Sequence, residues 1–206
     1  MSSSYPVAVA ETIEILKSLP GVGKRSAERM ALEILKWDDV KLTAFADLMA
    51  NLHSRVGICS VCGNLADYTD QNTLCPICAS PDRDVTTICV VEDSAQIRAI
   101  ENSNVFRGVY HVLCGRIAPL EGKNIDSLTI PLLEKRLDEN IIREVILALS
   151  PDVEGQATAA YLSDRLKDRN IRISSPARGL PAGSDLTYVD GATLAAAWSG
   201  RIFFKK

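Results

Sequence analysis

Cys59-Ser60-Val61-Cys62 and Leu74-Cys75-Pro76-Ile77-Cys78 form two C-x-x-C knuckles separated by a short polar loop. Each knuckle presents two thiolates from one side of a turn, so the pair supplies the four ligands of a tetrahedral zinc ion. With Cys59, Cys62, Cys75 and Cys78 bound, no position remains for water, and one Zn2+ per chain is expected in a structural role. A disulfide pair or a redox C-x-x-C is the alternative; the matched spacing and a cytosolic setting favour zinc. His53 lies nearby in sequence, but four cysteines already fill the site, so it reads as a surface or packing residue. The chain differs in kind on the two sides of the knuckles. Short helices with a glycine hairpin precede them, and alternating strands and helices follow.

The 206 residues can bury a core and allow one to two domains, with the zinc module as an insert. A formal net charge of −3 excludes a surface that binds nucleic acid all over, so any such contact is local. Met1-Ser2-Ser3-Ser4-Tyr5-Pro6 has neither a basic n-region nor an apolar h-region, and no apolar run approaches membrane-spanning length. The expected location is therefore the cytoplasm. Cys89 and Cys114 fall in apolar runs that read as strands, where a free thiol packs as a small hydrophobe.

Residues 7 to 18 read as a helix with Val9, Ile13 and Leu16 on one face. Leu19-Pro20-Gly21-Val22-Gly23-Lys24-Arg25-Ser26-Ala27 then turns and opens a second helix, with Ala27, Met30, Ala31 and Ile34 on its apolar side. Gly21 and Gly23 permit backbone conformations closed to other residues and bring N–H groups at a helix start close to a partner. Lys24 and Arg25 add positive charge at that spot, which suits a phosphate oxygen. The segment resembles a helix-hairpin-helix, a binder of DNA backbone; an ordinary helical hairpin with a glycine turn is the alternative. A P-loop is excluded, because Ser18 and Arg25 stand where Gly and Ser or Thr are required. A third helix over about Val40 to Ser54, capped by Asp38 or Asp39, carries Leu42, Phe45, Leu48, Met49 and Leu52 as core or a subunit contact.

After the knuckles, apolar runs at Thr87–Val91, Val109–Leu113, Glu144–Leu149 and Ile171–Ile173 alternate with helical patterns. In the helix over Gly155–Leu166, Ala157, Ala160, Tyr161 and Leu162 are expected inward. Continuous apolar strands separated by helices imply an α/β fold, a parallel sheet covered on both faces. Ligands of such sheets collect beyond the carboxyl ends of the strands. Glu92 follows the first strand, and Asp152 and Glu154 follow the third in Ser150-Pro151-Asp152-Val153-Glu154-Gly155. These carboxylates fit either Mg2+ or the caps of the helices that begin there.

A strand ending in Glu92 and a later strand ending in D-x-E-G resemble the Toprim domain of topoisomerases, primases and some nucleases. The order of parts narrows the likeness. The hairpin at Leu19–Ala27, the four cysteines, Val90-Val91-Glu92-Asp93, Leu120-Glu121-Gly122, Ser150–Ala159 and Arg178-Gly179-Leu180-Pro181-Ala182-Gly183-Ser184-Asp185-Leu186 together resemble the bacterial RecR family of recombination proteins over nearly the whole chain. The resemblance implies a helix-hairpin-helix domain at 1–55, a four-cysteine zinc finger at 56–84, a Toprim domain at 85–174 and a C-terminal docking segment at 175–206. It implies a DNA-binding mediator of recombinational repair that acts with RecO and RecF at single-stranded gaps and helps load RecA. It also implies a dimer that builds a ring-shaped tetramer, with Glu92, Asp152 and Glu154 on a face that meets RecO.

Catalytic Toprim enzymes carry an Asp where this chain has Ser150, so a two-metal site would lack one carboxylate. This argues for binding over catalysis; the rival is a Mg2+-dependent nuclease or primase-like enzyme. Leu186-Thr187-Tyr188-Val189-Asp190 resembles a Walker B strand, and without a P-loop it reads as a strand packed against the sheet or a neighbouring subunit. Trp198, Phe203 and Phe204 fit such docking, and the basic run from Arg165 to Lys206 reads as a solvated face.

Overall fold

The computed structural model describes residues 5–68, 73–118, 125–139 and 141–202. The Leu120–Gly122 motif and the terminal Phe203, Phe204, Lys205 and Lys206 lie outside the described residues. The chain divides into two compact units, residues 1–55 and residues 56–206.

The first unit is helical. α1 (Val7–Lys17) and α2 (Lys24–Ile34) bury Ile13, Ala27 and Ala31 between them, with Val9, Leu16 and Val22 packed alongside. The small alanines let the two backbones approach closely, whereas Met30 on the expected apolar face is exposed. α3 (Asp39–Ala50) begins at Asp38, whose carboxylate accepts the Lys41 amide at 2.8 Å. It stops at Asn51, and Leu52–Arg55 forms a separate turn of helix, α4. The stripe of Leu42, Phe45, Leu48, Met49 and Leu52 is exposed within this unit, so it is not core. His53 is likewise on the surface.

The second unit begins with β1 (Val56–Ile58), paired antiparallel to β2 (Leu65–Asp67), and the short helix α5 (Pro76–Ala79). Its main sheet comprises β3 (Asp84–Val91), β4 (Gly108–Val112), β5 (Glu144–Leu147) and β6 (Arg172–Ser174) in the order β4-β3-β5-β6, with every pairing parallel. Strand residues alternate between two cores. Ile88, Val90, Val109 and Val145 meet Leu133 and Leu137 of α7 (Ile130–Glu139) and Leu162 and Leu166 of α8 (Val153–Leu166). Cys89, Val91, Tyr110 and Val112 meet Ile97 of α6 (Ser94–Ser103) on the opposite face. The sheet is thus covered on both sides, as continuous apolar strands require. α8 turns Gly155, Thr158, Leu162 and Leu166 inward; Leu162 is buried as expected and Tyr161 packs against the same core, whereas Ala157 and Ala160 face outward.

Three further expectations are corrected. Leu186–Tyr188 is a 3-10 turn, not a strand, because Asp185 accepts the Thr187 amide at 2.9 Å and winds the chain. Asp190, at the end of that segment, caps α9 (Gly191–Ser199) by accepting the Thr193 amide at 2.9 Å. Cys114 lies beyond the end of β4 at φ 60 and is exposed; Cys89 does pack as a hydrophobe, and burial pushes its thiol up to about 12. Much of the basic run is neutralised by acids distant in sequence. Arg165 pairs with Glu134 and Arg169 with Asp138, both on α7, a match invisible in a local count of charges.

His111 on β4 is fully buried, and its Nε2 lies 3.0 Å from Thr129 Oγ1 and 3.2 Å from the Thr129 carbonyl, while Nδ1 has no partner. A proton on Nδ1 would be a buried, unpaired donor. Burial, reinforced by the Arg136 charge, lowers the imidazole to about 4 from its ordinary 6.5. Because the folded value is depressed, this contribution to stability is complete above pH 6.5 and is lost as pH falls from 6.5 towards 4. Denaturant titrations should register a loss of up to about 3 kcal/mol across that window. His111→Leu should flatten the slope between pH 6.5 and 5; an unchanged slope would show that another group is responsible.

Candidate functional site

The four knuckle sulfurs lie within 4.8 Å of one another, and Cys62 Sγ and Cys75 Sγ are 3.6 Å apart. Sulfurs on a tetrahedral zinc ion with bonds of about 2.3 Å stand about 3.8 Å apart, so the donor set fits that metal. Backbone geometry presents them. Cys59 N–H donates to the Asn64 carbonyl at 2.7 Å, Gly63 N–H donates to the Cys59 carbonyl at 3.0 Å, and Gly63 takes φ +76 to close the first knuckle. In the second knuckle Cys75 caps α5 and accepts the Cys78 amide at 3.4 Å. Among themselves the crowded thiols share protons unequally: the hydrogen bond with Cys75 pushes Cys62 up, and the same bond pulls Cys75 down. A divalent cation removes that competition by binding all four as thiolates.

The module docks directly on the parallel sheet. Val112 N–H at the end of the edge strand β4 donates to the Cys62 carbonyl at 2.7 Å. A Cβ on Gly63 would stand 2.9 Å from the Val112 carbonyl oxygen, so only glycine allows this approach. Ile77 of the second knuckle packs on the core that holds Cys89 and Tyr110. A zinc ion held by the four cysteines would fix the knuckle whose Cys62 carbonyl takes the Val112 amide, at the end of β4.

In the hairpin, Gly21 takes φ +78, and Val22 N–H closes the turn on the Leu19 carbonyl at 3.1 Å. Gly23 is extended, with φ −79, and a Cβ there would meet no atom of the protein, so neither the backbone conformation nor packing within the chain requires glycine at this position. α2 has no side-chain cap on its first amides and no acid in its first turn, and Lys24 and Arg25 are exposed there. The result is a positive, accessible helix start.

Beyond the carboxyl ends of β3 and β5, Glu92 meets Ser150, and Asp152 follows two residues later at the start of α8. Glu92 is buried, and both its oxygens accept from one residue, Oε1 from Ser150 N–H at 2.7 Å and Oε2 from the Ser150 hydroxyl at 3.0 Å. Asp152 caps α8 by accepting the Gly155 amide at 2.8 Å, and its other oxygen pairs with the Arg116 guanidinium. The Gly155 bond, followed by the Arg116 charge, holds the Asp152 carboxyl below the usual range. Among the described residues, no hydrogen-bond donor reaches the Glu154 carboxylate. Gly155 is required by contact: a Cβ there would collide with the Ser150 carbonyl oxygen. The site thus brings together Glu92 and Ser150, and adds Arg116, which sequence reasoning missed. Its one signal was position, immediately beyond the end of a parallel strand. With Ile58 and Gly63 of the zinc module, Glu92, Asp93 and Arg116 line a cleft of about 510 Å3.

Family models match this architecture segment by segment: RecR helix-hairpin-helix over residues 9–53, the RecR four-cysteine zinc finger domain over 56–80, Toprim domain over 86–176 and RecR C-terminal over 179–202. The fold is accordingly an α/β Toprim domain joined to an all-α helix-hairpin-helix and a small four-cysteine zinc finger. Full-length relatives are called Recombination protein RecR. The one from Syntrophobacter fumaroxidans is 45% identical over 204 residues, covering 99% of this chain and 100% of the relative. Those from Thermobifida fusca and Leifsonia xyli are 44% and 42% identical, each over 197 residues; they cover 96% of this chain and 97% and 98% of the relatives. The chain belongs to the RecR family, whose members are recombination proteins.

Two outcomes are expected. Cys59→Ser, or chelation of the native protein, should release one zinc per chain in a colorimetric assay. It should also lower the thermal midpoint on the order of 10 °C. Undiminished stability without metal would contradict a structural zinc. Gly155→Ala should cost about 1–3 kcal/mol in denaturant unfolding. An unchanged midpoint would show that the loop after β5 can give way.

Proposed function

We propose that the protein is a non-catalytic, DNA-binding mediator of recombinational repair in the bacterial cytoplasm, associated with the nucleoid. It acts with RecO and RecF at single-stranded gaps and helps load RecA. The observation that carries this reading is the hairpin, where uncapped α2 amides and exposed Lys24 and Arg25 form a surface suited to phosphate in single- or double-stranded DNA. Gly21 shapes its turn, and Gly23 leaves room for the backbone of the nucleic acid. One hairpin makes few phosphate contacts, and a dimer that assembles into a ring-shaped tetramer multiplies them through effective concentration. The uncovered apolar stripe of α3 supports such self-association.

In the same reading residues 1–55 bind DNA and 56–84 hold structural zinc. Residues 85–174 form the Toprim domain, and 175–206 dock it to a neighbour, with Trp198 exposed on α9 in support. Glu92, Asp152 and Glu154 serve a protein partner, RecO, rather than Mg2+ catalysis. Two features favour this over a Mg2+-dependent nuclease or primase-like enzyme: Ser150 takes both Glu92 oxygens, and Arg116 sits on Asp152.

The reading is tested by incubating zinc-loaded protein with end-labelled gapped DNA and Mg2+, then running native and denaturing gels in parallel. A shifted but intact substrate is expected. Lys24→Ala with Arg25→Ala should weaken binding about tenfold or more and reduce the salt slope by about 2, with the oligomer unchanged by sedimentation. Strand cleavage that Glu92→Gln abolishes would replace the mediator with a nuclease.

A further inference from the structure

The Toprim fold implies a magnesium site, and the residues here do not fit one. A small divalent cation requires carboxylate oxygens that can turn towards it at about 2.0–2.1 Å. All four oxygens of Glu92 and Asp152 are instead engaged by the protein's own donors, the Ser150 amide, Ser150 hydroxyl, Gly155 amide and Arg116 guanidinium, which leaves Glu154 as the one carboxylate of the three without a donor among the described residues.

Arg116 is held in this position by more than a surface ion pair. Its loop leaves β4 through two residues of positive φ, Cys114 at 60 and Gly115 at 145. On one side Gly115 N–H donates to the Glu92 carbonyl at 2.9 Å. On the other, Ile117 N–H donates to the buried hydroxyl of Thr158 at 2.9 Å, and that hydroxyl donates to the Glu154 carbonyl at 2.7 Å. The residues flanking Arg116 are therefore tied to the two segments that carry the carboxylates. The guanidinium pairs with Asp152 and also lies in the fields of Glu154 and Glu92.

We infer that Arg116 is a built-in counter-cation that stands on Asp152 in place of a divalent ion and, with Ser150 on Glu92, closes this pair of carboxylates to metal. The inference rests on the non-catalytic Toprim reading above, and it goes further by assigning the closure to Arg116 together with Ser150. Ser150 leaves Glu92 satisfied without a metal, and Arg116 supplies the positive charge that a metal would otherwise bring. Any cation bound at this face, whether a metal ion or a basic side chain of a partner, must exchange with the guanidinium.

The test is Mn2+ binding to the zinc-loaded full-length protein, followed by calorimetry and by loss of the free-ion paramagnetic signal. The native protein should bind Mn2+ here no more tightly than about millimolar, and Arg116→Gln should tighten binding about tenfold or more. Arg116→Ala, which leaves no side-chain amide to take the same place, should repeat the gain. Arg116→Lys should stay close to the native protein, and adding Asp152→Asn to Arg116→Gln should erase the gain. Arg98→Gln on α6, which removes the same charge elsewhere, should bind like the native protein.

Equal Mn2+ affinity in the native and Arg116→Gln proteins, whether tight or absent, would overturn the inference, as would an equal gain in Arg98→Gln. These outcomes are separate from DNA cleavage by the native protein, which would overturn the mediator reading itself.

Discussion

The constraint on which the α/β unit depends is that β3 must satisfy both edges of its backbone and cover both of its faces at once. β4 pairs with one edge and β5 with the other, both in parallel. Ile88 and Val90 enter one core while Cys89 and Val91 enter the second. Such a strand can present function only where it ends, and the first residue beyond it is Glu92. The buried carboxylate inherits its position from the most constrained strand in the unit, so the rest of the site must be brought to it by its neighbours.

They come from three directions. The loop after β5 delivers Ser150, the loop after β4 delivers Arg116, and the zinc knuckle pins the end of β4 through the Cys62 carbonyl. Each arrival depends on a local geometric concession. Gly155 lets α8 start against the Ser150 carbonyl, and Gly63 lets the knuckle reach Val112. The zinc site, distant from the carboxylates in sequence, becomes a wall of their cleft. The knuckle joins the sheet through a main-chain hydrogen bond, from Val112 N–H to the Cys62 carbonyl.

Electrostatics in the two functional regions is opposite in design. The start of α2 leaves amides uncapped and adds Lys24 and Arg25, an arrangement that has a cost in isolation and that an anion relieves. At the carboxylate site, by contrast, Glu92 is hydrogen-bonded by uncharged donors and Asp152 is paired with a guanidinium. An unsatisfied surface is suited to recognition of a polyanion, and a satisfied one to a static or exchangeable contact.

Spacing and periodicity along the chain determined the zinc ligands, the glycine hairpin, the four parallel strands and the carboxylates at their ends, because each is a relation among residues a few positions apart. On α8, Leu162 and Tyr161 lie on the core side as apolar count suggests, but Ala157 and Ala160 do not; the inward positions of the first turns are Gly155, packed on the Ser150 carbonyl, and Thr158. The Walker B-like segment reads as a strand by composition, yet Asp185 and Asp190 redirect the backbone through side-chain caps. Only the tertiary structure decided what the carboxylates touch. Ser150 reaches Glu92 across 58 residues and Arg116 reaches Asp152 across 36, distances over which no local pattern specifies a partner. Chain order placed the acids; the packing of parallel strands chose their counter-charges.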